Sequence, residues 1–153
     1  AQFNELVTCL RGGRETGRQL SQKLNLPVSA IQLQRYHDIN QGGAIKVILE
    51  PPGDLIGKSI LIAEDVVDQG DSLKFLDSYF AQRGVTSCKV ATLHQKPHTK
   101  RSAEFIGAQT SHWVVYPWET AEFIATNLEA WANIGLTRDD SRQILNNLGF
   151  VLS

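Results

Sequence analysis

The sequence predicts an α/β domain with a central, mostly parallel sheet flanked by helices. Apolar, β-branched runs alternate along it with segments whose apolar residues recur at helical spacing. That alternation is the signature of strands covered by crossover helices. At 153 residues and 42% hydrophobic content the chain can bury a real core, and 1–153 is expected to form a single domain.

Taken in order, the elements are as follows. A strand is predicted over 5–9 and a weaker helix over 15–24, then a second strand over 28–33. The stretch 37–57 is long, holds Gly42, Gly43, Pro51, Pro52 and Gly53, and carries only one strand-like piece, 45–49. A connection of that length is often a functional loop. The strand over 59–63 leads into the clearest helix, 72–83, where Leu73, Leu76, Tyr79 and Phe80 share a face and Gly84 sits at the left-handed stop. Strands are further predicted over 88–93 and 113–115. After Pro117 the pattern turns helical, through 119–132 and 138–148, with Thr137 or Asp139 as the cap of the last helix. The segment 119–153 thus reads as a helical extension.

Composition narrows the function classes. Lys+Arg total 15 against Asp+Glu 16, so no global basic field points to nucleic acid or an anionic membrane. Any anion site must be local. No apolar run approaches the ~18 to 20 residues of a membrane span, and Cys9 and Cys88, far apart in apolar runs, read as buried thiols. Both features favour a cytoplasmic address.

The chemistry concentrates in the string from Ile60 to Leu73, ILIAEDVVDQGDSL. It runs from a strand through an acidic loop to a helix start. Amides at a helix start are unsatisfied donors, and Gly70 lets them approach an anion closely, so a phosphate fits there. Glu64 and Asp65 just upstream suit ribose hydroxyls or Mg²⁺. Near the beginning, Arg11, Gly12 and Gly13 follow the first strand. Arginine supplies a donor fork for phosphate, and paired glycines permit unusual backbone beside it. After the strand over 88–93 come Lys96 and Pro97, and later HWVVYPWE, from His112 to Glu119; Trp113 offers a stacking face for a base and Lys96 a donor at its edge.

The string EDVVDQGDS resembles the signature of the type I phosphoribosyltransferases. The Lys-Pro pair with the later Trp and Pro-Trp-acid run is similar to the 6-oxopurine members of that family, the xanthine-guanine and hypoxanthine-guanine enzymes. The resemblance covers about 5–119 and implies Mg²⁺-dependent transfer of a phosphoribosyl group from phosphoribosyl pyrophosphate to a purine base, in a homodimer or homotetramer. It implies that Glu64 and Asp65 contact the ribose hydroxyls, Asp65 together with Mg²⁺. Asp68 sits beside the base as the catalytic carboxylate, and the loop Asp68, Gln69, Gly70, Asp71 and Ser72 holds the 5-phosphate. Arg11, Gly12 and Gly13 resemble the pyrophosphate loop, which implies a cis peptide between Arg11 and Gly12. Lys96 meets the 6-oxo group, Trp113 stacks on the ring, and the backbone of Val114 reads the pyrimidine edge. The segment 36–47 resembles the lid that closes over substrate, with Tyr36 in it.

Three departures stand out. Gln69 replaces the usual Thr, Arg35 stands where the family often has Ser, and Arg14 and Glu15 replace residues that are mostly apolar in those relatives. They favour the alternative of a regulatory or nucleotide-binding protein that keeps the fold without the chemistry. Two decoys are set aside. GDLIGKS, from Gly53 to Ser59, is one residue short of a nucleotide-hydrolase phosphate loop and precedes a strand, and His94, His98, His112 and Cys88 lack a recurring zinc-ligand spacing.

Overall fold

A computed structural model describes residues 3–35 and 44–150. Its strongest feature begins with period-two alternation. In the strand Ser59–Val67, Ile60 and Ile62 face one side and Leu61 and Ala63 the other, and all four are buried. A strand apolar on both faces must be covered on both faces. The larger core forms on one side, where Val7, Cys9, Ile31, Ile60, Ile62 and Val90 meet Leu73, Leu76, Tyr79 and Phe80 of a helix. The smaller one, on the other side, joins Leu6, Leu61, Ala63 and Ala91 to Leu20 and Leu26.

The element order is β1 (Glu5–Leu10), α1 (Arg14–Leu24), β2 (Val28–Arg35), β3 (Ile45–Leu49), β4 (Ser59–Val67), α2 (Asp71–Gln82), β5 (Ser87–Gln95) and β6 (Phe105–Gln109). The six strands form one sheet in the order β3-β2-β1-β4-β5-β6. All neighbours are parallel except β2 and β3. After β1 the chain crosses to β2 on one side, and β4 later takes its place on the other. The order therefore reverses between β1 and β4, the position at which an open α/β sheet offers a crevice beyond its strand ends.

Residues 1–111 make one compact unit and 112–153 a second. The second holds a short 3₁₀ turn, Pro117–Glu119, then α3 (Thr120–Asn133) and α4 (Arg138–Asn147). Tyr116 is buried and its ring stacks on Trp118 at 4.9 Å. Among the described residues no helix is long and apolar enough to cross a membrane.

One expected strand is corrected. Residues 113–115 are irregular chain, and the sixth strand is Phe105–Gln109 instead. Gly107 interrupts the apolar run there, but that glycine lets β6 lie close to β5: a Cβ on it would stand 2.7 Å from the Leu93 carbonyl oxygen. Hydropathy alone therefore hides β6. Several strands also run longer than their apolar runs; β4 and β5 carry polar residues at their carboxyl ends, where the sheet stops being covered.

Candidate functional site

Because β1, β2, β4 and β5 are parallel, their carboxyl ends share one edge of the sheet. That edge gathers Leu10 to Gly13 after β1, Arg35 at the end of β2, the end of β4 with the loop into α2, and Lys96 to Arg101 after β5. Sequence-distant segments meet there by topology.

The Arg-Gly-Gly turn interlocks with the end of β4, which carries Glu64 and Asp65 as strand residues and not as the acidic loop expected from the sequence. A Cβ on Gly12 would collide with the Asp65 carboxylate, and one on Gly13 would collide with the Ala63 carbonyl and stand 2.7 Å from that of Cys9. Only glycine permits this approach. The cis peptide lies between Leu10 and Arg11, not between Arg11 and Gly12 as the resemblance implies. Arg11, Gly12 and Gly13 form the turn after β1, and the two glycines allow its close approach to β4.

Asp65 is buried, and its Oδ1 accepts from the Val66 amide at 2.6 Å. The Thr92 hydroxyl lies 2.9 Å from the Asp65 carbonyl oxygen, tying β5 to this point. Glu64 is half-buried beside it. Burial, with the adjacent Asp65 charge adding to it, pushes the Glu64 carboxyl up to about 8. The oxygens of Asp65, with those of Glu64 beside it, are a donor set that suits Mg²⁺, which takes one or two carboxylates and completes its shell with substrate oxygens and water. Burial likewise raises the Cys9 thiol, which contacts Glu64 and is a free, inert thiol.

Beyond β4 lies a cavity of about 260 Å³ lined by the motif itself, including Glu64, Asp68, Gly70, Asp71 and Ser72, together with Arg35. Gly70 precedes α2 with φ 84°, a left-handed conformation that glycine adopts without strain. It also backs onto the loop after β5, where a Cβ would stand 2.7 Å from the Arg101 amide nitrogen. That loop is pinned to the motif by two backbone bonds, from the Lys96 amide to the Val67 carbonyl at 2.8 Å and from the Lys100 amide to the Gln69 carbonyl at 3.0 Å. As a result His98 faces Asp68, with Nε2 at 2.5 Å from Oδ1.

The motif residues Glu64, Asp65, Asp68, Gln69, Gly70, Asp71 and Ser72 therefore come together with Arg11, Gly12 and Gly13 along one edge. Lys96 is buried at the end of β5 in the same unit. Trp113, 82% exposed, and the half-buried Val114 belong to the second unit. Tyr36 lies outside the described residues. Sequence reasoning missed the His98 contact and the Arg35 position in the cavity. The sequence marks Arg35 only as a departure from the family's Ser and His98 not at all as part of this site, since both reach it through strand topology. Among the described residues no group of three or more His, Cys, Asp or Glu side chains forms a metal cluster.

Comparison with known proteins identifies the family. Residues 4–121 match the phosphoribosyl transferase domain family. A hypoxanthine-guanine phosphoribosyltransferase of Streptococcus pyogenes is 30% identical over 74 residues, 48% of this chain but only 41% of that enzyme's length. A xanthine-guanine phosphoribosyltransferase of Idiomarina loihiensis is 23% identical over 121 residues, 77% of this chain and 72% of the relative. Among solved structures, a purine phosphoribosyltransferase of Pyrococcus horikoshii superposes with a TM-score of 0.70 at 27% identity, covering 76% of each chain. The xanthine-guanine-hypoxanthine phosphoribosyltransferase of Helicobacter pylori gives 0.68 at 26% identity, over 84% of this chain and 82% of the other. With more than half of its length matched and the same fold, this chain belongs to the phosphoribosyl transferase domain family.

Proposed function

We propose that this protein transfers the 5-phosphoribosyl group of phosphoribosyl pyrophosphate to a 6-oxopurine base, releasing pyrophosphate. The observation that carries this reading is the interlock at the strand-order reversal, where Gly12 abuts the Asp65 carboxylate and β4 runs on into the cavity before α2. In this reading the turn takes the pyrophosphate, the two acids the ribose and the cavity the 5-phosphate, in the order in which the substrate presents its own groups.

In this reading the backbone from Asp68 to Ser72 holds the 5-phosphate, Glu64 and Asp65 accept hydrogen bonds from the ribose hydroxyls, and Arg11, Gly12 and Gly13 hold the pyrophosphate. Asp65 would hold Mg²⁺, which would supply positive charge to offset that of the departing pyrophosphate. The C1–oxygen bond to pyrophosphate breaks and a C1–nitrogen bond to the purine forms. Positive charge develops on the sugar meanwhile, and the base must lose a proton. Asp68 takes that proton and stabilises the charge, with His98 hydrogen-bonded to it. Lys96 donates to the 6-oxo group, Trp113 stacks on the ring, and the Val114 backbone meets the pyrimidine edge. Tyr36 belongs to a lid that excludes water from the reactive centre.

In this reading residues 1–153 serve one function, with 119–153 as a helical extension. A cytoplasmic homodimer or homotetramer is part of the same reading.

The test is pyrophosphate release from phosphoribosyl pyrophosphate with Mg²⁺ and a panel of bases. Guanine, hypoxanthine or xanthine should support release while adenine, uracil and orotate do not, because a donor opposite the 6-position accepts a carbonyl and rejects an amino group. Equal turnover of adenine and guanine would overturn the base assignment. Nucleotide binding without any release would favour the non-catalytic reading, for which the exchange of Thr for Gln69 is the specific argument.

A further inference from the structure

The cavity before α2 has an electrostatic problem that the motif alone does not solve. Its lining brings the carboxylates of Asp68 and Asp71, beside the Glu64 carboxyl, to a place where a phosphate must sit. The one cation among its described lining residues is Arg35, which arrives from the end of β2, a different part of the chain. Arg35 Nη2 lies 3.5 Å from Asp71 Oδ2, and both side chains are 42% exposed. At that distance and exposure the pair is loose, held by little more than a screened attraction, so the guanidinium is free to turn towards a stronger acceptor. A phosphate dianion with three oxygens in the fork of the guanidinium is such an acceptor.

We propose that Arg35 is a direct ligand of the substrate's 5-phosphate, exchanging its contact with Asp71 for one with the phosphate when the nucleotide binds. This rests on the phosphoribosyltransferase reading and adds to it a binding residue outside the motif. It also gives a reason for two departures at once. The hydroxyl lost at Gln69 is replaced by a charged donor from β2, and the carboxylate of Asp71 has a partner at the mouth of the site while no phosphate is there. Asp71 in turn holds the guanidinium near the cavity before the ligand arrives.

The experiment is calorimetric binding of GMP and of guanosine to the wild-type protein and to Arg35→Ser, Arg35→Lys and the double variant Arg35→Ser/Asp71→Asn. Guanosine carries the same base and sugar without the phosphate. Arg35→Ser should weaken GMP by about 10- to 100-fold, the range for losing a hydrogen bond to a charged group, and leave guanosine unchanged. Arg35→Lys should fall between, since the charge remains and the fork is lost. The double variant should stay as weak as Arg35→Ser. Recovery of wild-type GMP affinity in the double variant would overturn the proposal, since Arg35 would then act only by neutralising Asp71. An unchanged GMP affinity in Arg35→Ser would overturn it while leaving the phosphoribosyltransferase reading intact. If the wild-type protein bound no GMP, that reading itself would fail and this one with it. Equal weakening of GMP and guanosine would mark Arg35 as a structural residue and would also overturn it. A thermal melt of each variant confirms that binding is read from folded protein.

Discussion

Helices α2 and α4 start with the same physical difficulty, amide groups that have no acceptor within the helix, and they meet it in opposite ways. At the start of α4, Thr137 and Asp140 form a reciprocal capping box: the Asp140 amide donates to Thr137 Oγ1 at 3.2 Å, and the Thr137 amide donates to Asp140 Oδ2 at 2.9 Å. The helix closes on itself. Before α2 stands Gly70, which has no side chain to accept anything, and the first-turn acid Asp71 is drawn to Arg35. The amides of α2 instead border a cavity of about 260 Å³. A start capped by its own side chains serves stability, whereas one left to a ligand's oxygens serves binding, and the two should respond to mutation in different assays.

The largest effect is expected at Asp68, at the mouth of the open start. Asp68→Asn keeps the size of the side chain but cannot accept the purine proton or offset the sugar's positive charge. Turnover with guanine or hypoxanthine should fall by about 10² to 10⁴, the usual range for a positioned general base, while calorimetric binding of the product nucleotide changes little. Near-normal turnover would make Asp68 an ordinary loop residue.

A second substitution attacks the open start directly. Gly70→Ala must hold a non-glycine residue at φ 84° and would press its Cβ to 2.7 Å from the Arg101 amide nitrogen and 2.8 Å from Thr99 Oγ1. Strain of this kind costs on the order of 1–3 kcal/mol. Denaturant unfolding should report that loss, and GMP affinity should fall with it, because the loop that carries the amides moves. A stable variant with unchanged GMP affinity would show that the cavity before α2 is not the phosphate site.

How much of this was legible in the sequence depends on whether the signal was local. The motif from Glu64 to Ser72, the helix that follows it and the Thr137 cap are contiguous strings; the helix starts one residue before the expected 72, Thr137 is the cap of the two candidates, and the strand runs on through Glu64 to Val67, which were expected as loop. Gly12 was readable as a phosphate-loop glycine, but its contact with Asp65 depends on β1 lying beside β4, and a sequence does not state its strand order. Arg35 and His98 join the site for the same reason. The strand Phe105–Gln109 stayed hidden because an edge strand with a glycine at its centre has no hydropathy pattern. The apolar run 113–115 drew the strand assignment instead, although hydrophobicity over three residues cannot separate a strand from irregular chain.

A third prediction concerns pH. Glu64 is raised to about 8 in the folded protein, whereas an exposed glutamate titrates near 4.3. Between those values the folded state binds more protons than the unfolded state, so stability contributed by protonated Glu64 is lost as pH rises from about 4.3 to about 8 and changes no further above that. The slope from this one group is at most about 1.4 kcal/mol per pH unit. Glu64→Gln mimics the protonated form and should flatten the curve in metal-free buffer. A wild-type curve already flat over that range would mean that Glu64 stays ionised.

The smallest effect belongs to the closed start. Thr137→Ala removes the hydroxyl that accepts from the Asp140 amide and leaves the Asp140 carboxylate without the hydroxyl that donates to it at 2.6 Å. Loss of an N-cap of this kind costs about 1 kcal/mol. The site around Thr137 is exposed, so water replaces part of what is lost and the cost should not exceed that figure. It should appear as faster amide exchange over the first turn of α4, after Arg138, and as a small fall in the unfolding midpoint. Asp140, held low in the native protein by its bonds from Thr137, should at the same time titrate closer to its ordinary range, which carboxylate chemical shifts across a pH series would record. Turnover and GMP affinity should not change, since the amides involved face their own cap and no ligand. If Thr137→Ala did reduce GMP affinity, the start of α4 would be part of the binding machinery, and the division between a start closed for stability and one left open for a ligand would fail at its closed end.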